Sequence, residues 1–126
     1  MNKNEKKNVH YTIMKYGTIF SEFPISAFVL LSKKEINSKN KKIDLVGTLV
    51  KKKSFKKAIH RNRIKRLLRA SFFLNKYLLE KKIEFSIHKK TYQIIFSYRG
   101  FLLPTFEDIN QSVKKIFSEI LEEKIS

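Results

Sequence analysis

The densest set of chemically active side chains in this 126-residue chain lies between Lys51 and Arg69, in the sequence KKKSFKKAIHRNRIKRLLR. Ten of these 19 residues are Lys or Arg, and none is acidic. Guanidinium groups bind a phosphate through two parallel hydrogen bonds, ammonium groups add mobile positive charge, and the Asn62 amide offers both a donor and an acceptor. These side chains therefore predict binding to a phosphate backbone.

The same segment has the apolar spacing of a helix, which we predict from about Ala58 to Glu80. At about 100° per residue, and with Ile64 as reference, the side predicted to face the core carries Leu67, Leu68, Ser71, Leu74 and Leu78. The opposite side lies close to Ala58 and carries Asn62, Lys65, Arg66, Arg69 and Lys76. Arg61 and Arg63 flank the boundary, and His60 falls on the core side, which favours a buried or hydrogen-bonded histidine.

A solvated helix face normally mixes acids with bases, because oppositely charged neighbours stabilise the helix. Here Asp44 is the one acid between Glu35 and Glu80 in the sequence. The pattern therefore favours a binding face over a merely solvated one. Phe73 falls on the polar side, where it either stacks on a base or packs against another element.

The charge of the whole chain points to the same class of partner. The 28 Lys and Arg outnumber the 11 Asp and Glu, for a formal net charge of +17. The excess is uneven, since the chain from Phe101 onward carries three Lys and five acids. Such a charge repels itself unless a polyanion neutralises it, with nucleic acid as the first candidate and an anionic membrane surface as the second.

A membrane partner fits less well. The longest apolar run, Ile25 to Leu31, is too short to span a bilayer, and the central helix needs its apolar side for the core. No apolar run of signal-peptide length follows Met1, so a cytoplasmic location is expected.

Catalysis by the protein's own side chains is also disfavoured. The chain has no Cys, only three Gly and three His separated in sequence, and its acids are sparse. An autonomous nuclease would need clustered carboxylates for a metal or paired histidines for acid–base chemistry. We therefore predict no catalytic side chain and no metal site on the protein.

The remaining elements predict one domain, 1–126, of the α+β class, with a small mixed sheet packed by helices. A short helix is predicted to stop at Gly17, Pro24 to interrupt an extended run, and Gly47 to mark a bulge or a close backbone approach. The last helix has Thr105 as N-cap and Asp108 three residues later.

The predicted helices are Val9–Tyr16, Ala58–Glu80 and Phe106–Leu121. The extended segments are Thr18–Leu31, Ile43–Val50 and Thr91–Tyr98. The polar connections are Ser32–Lys42, Lys51–Lys57 and Lys81–Lys90. The last helix is expected to turn its apolar side to the sheet with Phe106, Ile109, Val113, Ile116, Phe117, Ile120 and Leu121.

The run from Ala58 to Arg69 resembles the signature of the bacterial ribonuclease P protein component, in which Arg-Asn-Arg is followed by Lys-Arg and a further Arg on one helix. Gly17, the strand before the Lys run, and the closing strand and helix extend the resemblance over most of the chain. The resemblance implies a ribosomal-protein-S5-domain-2-like fold with a left-handed βαβ crossover, against the usual rule.

The resemblance also implies a division of labour between this chain and a catalytic RNA. The RNA subunit would hold most of the Mg²⁺ that activates water against the phosphodiester at the 5′ end of mature tRNA. The partners implied are ribonuclease P RNA and precursor tRNA, with no protein partner evident. The RNA-binding residues implied are Lys52, Lys53, Arg61, Asn62, Arg63, Lys65, Arg66 and Arg69. The residues implied for the cleft that receives the 5′ leader are Tyr11, Met14, Phe28 and Ala58.

This sequence departs from the family pattern in several places. Phe55 stands where many members have Gly, and His10 and Met14 fall where aromatic residues often line the leader cleft. The alternative to a ribonuclease P subunit is a structural ribosomal or other RNA-binding protein without a role in cleavage. A DNA-binding regulator is the third possibility.

Overall fold

The structure is a computed structural model that describes the backbone of residues 3–32, 43–83 and 91–122, and the side chains of 8–31, 43–80 and 91–122. Its elements in chain order are α1 (Lys3–Tyr16), β1 (Thr18–Glu22), β2 (Ile25–Ser32), β3 (Ile43–Val50), α2 (Ala58–Ile83), β4 (Thr91–Tyr98) and α3 (Phe106–Glu122). This confirms the α+β class. Residues 33–42 and 84–90, which belong to two of the predicted polar connections, lie outside the described residues.

The four strands form one mixed sheet in the order β1-β2-β4-β3. β1 pairs antiparallel with β2, and β2 pairs antiparallel with β4. β3 and β4 are parallel neighbours, and α2 connects them as a βαβ crossover. The interruption predicted at Pro24 is the turn between β1 and β2.

The two faces of the sheet are covered by different helices. Side chains alternate between the faces along a strand, so Ala27 and Val29 join the large core formed with α2 and α3, whereas Phe28 lies on the other face. On that second face Phe28 packs with Ile13 of α1 and Ile95 of β4. The basic helix α2 is thus fixed to one face of the sheet, and α1 to the other.

The rotation of α2 about its axis differs from the prediction. Leu74 and Leu78 were expected in the core, but they are 52% and 43% exposed. The buried side of the helix consists of Ile64, Leu68, Ser71, Phe72, Asn75 and Leu79. His60, also predicted on the core side, is only partly buried.

Contact with α3 accounts for this rotation. The side-chain oxygen Oδ1 of Asn110 accepts hydrogen bonds from Ser71 Oγ at 2.9 Å and from Asn75 Nδ2 at 2.7 Å. Asn75 Nδ2 also donates to the carbonyl oxygen of Ser71 at 2.8 Å. Because these bonds satisfy polar groups in the interior, the helix buries Asn75 and leaves Leu74 outside.

Helix α3 begins as predicted with a capping box. The Asp108 N–H donates to Thr105 Oγ1 at 3.2 Å, and the Thr105 N–H donates to Asp108 Oδ2 at 3.1 Å. The buried apolar residues of the helix are Ile109, Val113, Ile116, Phe117 and Ile120. Phe106, predicted to belong with them, remains 36% exposed in the first turn.

Candidate nucleic-acid interface

The basic connection before α2 is anchored by Arg61 and Phe55. Arg61 Nη1 donates to the carbonyl oxygens of Phe55 at 2.7 Å and Lys56 at 2.9 Å. The Phe55 side chain is buried, and its ring centroid lies 5.9 Å from that of Tyr98. The connection is therefore held both to the helix and to the core, while Lys52 and Lys53 remain exposed.

This anchoring gives Arg61 a structural contact that the sequence analysis missed. The signature predicted Arg61 for RNA binding, yet the residue is half-buried and its Nη1 faces two main-chain carbonyls. Nothing in a run of basic residues distinguishes an arginine that binds its own loop from one that binds a ligand. The remaining guanidinium donors leave the prediction of an RNA contact in place.

The outward side of α2 carries the other basic residues of the signature. Asn62, Arg63, Arg66 and Arg69 are exposed, and Lys65 is half-buried at the edge. The first turn of α2 contains no acid, so the positive end of the helix dipole adds to the side-chain charge. This side of the helix attracts a polyanion.

A cleft of about 270 Å³ opens between α1, β3 and α2. Lys65 and Arg69 of α2 face His10 of α1 across the strand residues that complete its lining, which are Leu45, Val46, Gly47 and Thr48. Two of the predicted RNA-binding residues thus lie beside a concave surface. Their positive charge would suit a single strand of nucleic acid in the cleft.

The four residues predicted for the leader cleft do not line this cavity. Tyr11 and Met14 are exposed on α1, and Ala58 is exposed at the start of α2. Phe28 is only 6% exposed and packs beneath α1. Its burial limits Phe28 to supporting α1, and contact of the other three with a leader stays a prediction.

Close packing of His10 against Gly47 shapes the floor of the cleft. The pairing of β3 with β4 shifts register between Leu45 and Gly47, and the imidazole of His10 lies over Gly47. This confirms the bulge or close approach predicted at Gly47. His10 Nε2 is buried and has no hydrogen-bond partner among the residues that the structure describes. The role of His10 depends on contact with a strand more than thirty residues away, and no local pattern indicated it.

A second, mainly apolar cavity of about 510 Å³ lies beside the turn between β1 and β2 and the start of α3. The Tyr98 hydroxyl donates to the Leu102 carbonyl oxygen at 2.7 Å in its wall. Burial, followed by the negative charge of Asp108, raises the pKa of Tyr98. The aromatic and aliphatic residues here were not predicted as a surface feature.

The described residues contain neither a cluster of metal-ligating side chains nor a helix that could span a membrane. In residues 8–31, 43–80 and 91–122, no three His, Asp or Glu side chains come together as a metal ion would require. None of the described helices is both long and apolar enough to cross a membrane.

Comparison with known proteins gives a family and a fold. The family model for Ribonuclease P matches residues 6–121. A search of curated protein sequences finds no match.

Solved structures of the Staphylococcus aureus RNase P protein have a similar fold. One is 22% identical with a TM-score of 0.62, covering 94% of this chain and 92% of that chain. Another is 23% identical with a TM-score of 0.55, covering 100% of this chain and 93% of that chain. A mutant of that protein, described as defective in mRNA degradation activity, is 22% identical with a TM-score of 0.63, covering 94% and 85% of the two chains.

Proposed function

This chain belongs to the ribonuclease P protein family, and we propose that it binds the catalytic RNA of ribonuclease P and the 5′ leader of precursor tRNA. In this role it supports endonucleolytic removal of the leader to give the mature 5′ end. Its own side chains bind and position RNA, while the RNA subunit carries the chemistry.

One observation carries the proposal. Helix α2 exposes a basic side, while its other side packs in the core. Arg66 and Arg69 are exposed, whereas Ile64 and Leu68 are fully buried. No acid occurs between Asp44 and Glu80 in the sequence to neutralise this side. Released counterions would drive RNA binding here, which makes the affinity strongly dependent on salt.

The cleft between α1, β3 and α2 suits the single-stranded leader. Lys65 and Arg69 would hold its phosphates, and Tyr11 and Met14, exposed on α1 outside the lining of the cleft, would contact bases that extend beyond it. Gly47 has no side chain, so the His10 ring can lie over the strand there and form the floor of the cleft. Lys52 and Lys53, on the anchored connection, would extend the charged surface toward the catalytic RNA.

The side chains of the proposed interface also fit a reaction in which the RNA holds the metal. Mg²⁺ prefers carboxylate and phosphate oxygens and would supply an activated water for phosphodiester hydrolysis. The proposed interface presents mainly cationic side chains, which repel a divalent cation but attract the phosphates that bind one. The protein would therefore contribute by neutralising phosphates and aligning the substrate.

The test is cleavage of a precursor tRNA by ribonuclease P RNA from the same source, at low Mg²⁺, with and without this protein. We expect the protein to restore cutting at the mature 5′ end. Arg66→Ala should reduce the stimulation, whereas Lys114→Ala, an equal charge change on the exposed side of α3, should not.

Failure of the wild-type protein to stimulate cleavage would overturn the proposal. If the protein nevertheless bound the RNA tightly, the second candidate would be favoured, a structural RNA-binding protein without a role in cleavage. The basic side of α2 supports both candidates, and only the cleavage assay separates them.

A further inference from the structure

The outward side of α2 does not end at Arg69. Asn62, Arg66, Arg69, Phe73 and Tyr77 follow one another at intervals of three or four residues, which places them on one side of a helix. Phe73 and Tyr77 are 52% and 51% exposed. The basic side of the helix therefore continues into two exposed aromatic rings, about 6 Å along the axis from Arg69 to Phe73.

These rings are not needed to close the core. Phe72 already occupies the interior beside Phe73, with the two ring centroids 5.4 Å apart at an interplanar angle of 78°. This edge-to-face contact holds Phe73 in place while half of its side chain stays accessible. A positioned but accessible ring is suited to stacking on another flat group.

A cation lies over the same ring. Lys76 Nζ lies 5.3 Å from the centroid of Phe73, and Arg69 is one turn closer to the N-terminus. A nucleobase stacked on Phe73 would bring its phosphate within reach of both charges. An aromatic ring beside cations is the combination with which proteins bind unpaired nucleic acid.

We propose that Phe73 and Tyr77 form a base-stacking extension of the RNA interface, which takes unpaired bases of the catalytic RNA. This proposal rests on the proposed function, because it assumes that the adjoining basic residues bind that RNA. It adds a contact that depends on stacking and not on charge.

The other group of exposed apolar residues has a different character. Phe23, Phe101 and Leu102 are also exposed, but they lie around the apolar cavity that Asp108 and Lys115 line as well. Asp108 offsets the charge of Lys115, and the sequence from Phe101 onward is net acidic, so this surface offers an RNA less positive charge than the outward side of α2. The comparison favours RNA as the occupant of the Phe73 surface and makes Phe101 a suitable control.

Tryptophan fluorescence gives a direct test, because the chain contains no Trp. The variant Phe73→Trp places a single reporter in the proposed stack, and Phe101→Trp places one at the control surface. With saturating ribonuclease P RNA, we expect quenched emission from Phe73→Trp and unchanged emission from Phe101→Trp. Equal responses from the two variants would overturn the proposal.

Binding measurements provide the second readout. Phe73→Leu keeps an apolar side chain but removes the ring, and should weaken RNA binding about 5- to 150-fold, the range expected for one stacked base. The dependence of affinity on salt should stay as in the wild type, because no phosphate contact is lost. Phe73→Trp should retain the affinity, and thermal unfolding checks that each variant is folded.

The outcomes separate the two proposals. If Phe73→Leu binds RNA like the wild type while Arg66→Ala does not, the RNA interface ends before Phe73 and this proposal fails alone. If the wild type shows no salt-dependent binding to the RNA, the proposed function fails. Self-association of the wild type that Phe73→Leu abolishes, with unchanged RNA affinity, would assign the surface to a second copy of the chain.

Discussion

The imidazole of His10 occupies the space that a side chain on residue 47 would require. A Cβ atom placed on Gly47 would lie 2.5 Å from Cε1 and 3.0 Å from Nε2 of His10. Glycine at this position therefore permits α1 to approach β3, and the contact forms the floor of the cleft beside Lys65 and Arg69.

Gly47→Ala should force the His10 ring out of its place and lower the free energy of unfolding by about 1–3 kcal/mol, as expected for overpacking. Denaturant unfolding measures the change. The double variant His10→Ala, Gly47→Ala is the control, since removal of the ring frees the space for the new methyl group. Simple additivity of the two single effects would contradict direct contact between these residues.

Leu68→Ala and Leu74→Ala test the observed rotation of α2. Leu68 is fully buried, whereas Leu74 is mostly exposed. Leu68→Ala should lower the free energy of unfolding by about 2–5 kcal/mol, and Leu74→Ala should change it by about 0.5 kcal/mol or less. Equal losses measured by denaturant unfolding would mean that the sequence-based rotation was right.

Asn110→Ala should destabilise the contact between α2 and α3. The substitution leaves two donors, Ser71 Oγ and Asn75 Nδ2, without the acceptor that they share. An unsatisfied buried donor costs about 1–3 kcal/mol, and chemical denaturation should show a loss of that size. Gln111→Ala, on the exposed side of the same helix, is the matched control. Because alanine favours the helix more than either residue does, a loss as large for Gln111→Ala would contradict the role assigned to the hydrogen bonds of Asn110.

Arg66→Ala and Arg61→Ala should separate RNA binding from stabilisation of the fold. Arg66 is exposed, so its loss should weaken RNA binding, reduce the slope of log affinity against log salt by about one, and leave thermal unfolding unchanged. Arg61→Ala should also lower stability, because the Phe55 and Lys56 carbonyls lose a charged donor. Identical melting of the two variants would remove the anchoring role assigned to Arg61.

The raised pKa of Tyr98 predicts a loss of stability at alkaline pH. The folded protein keeps the phenol proton to a higher pH than the unfolded chain, where tyrosine titrates near pH 10. Unfolding then releases protons, so the stabilising contribution is complete below about pH 10 and falls as the pH rises through the folded pKa.

Tyr98→Phe should make this alkaline loss shallower, and the burial that raises the pKa of Tyr92 would supply part of the remainder. Near neutral pH the variant should lose about 0.5–1.5 kcal/mol, because the hydrogen bond to Leu102 is absent. Unfolding curves from pH 7 to pH 11 measure both effects. A pH dependence identical to that of the wild type would contradict the role of Tyr98.

The sequence by itself determined the features that depend on near neighbours. The capping of α3 by Thr105 and Asp108, the strand at Thr91–Tyr98 and the basic side of α2 all follow from spacing within a few residues. Together with the Arg-Asn-Arg signature, they were sufficient for the α+β class and the family.

Only the tertiary structure decided which side of α2 enters the core and which polar groups have partners. Leu74, expected in the core, is exposed, whereas Asn75 is buried because Asn110, 35 residues away, supplies an acceptor. The contact between His10 and Gly47 also joins residues that are distant in sequence, because helix α1 packs across the sheet. Such partners are distant in sequence, so local periodicity carries no information about them. Spacing alone placed Asn62, Arg66, Arg69 and Phe73 on one side of α2, and the tertiary structure decided that Phe73 and Tyr77 stay exposed there.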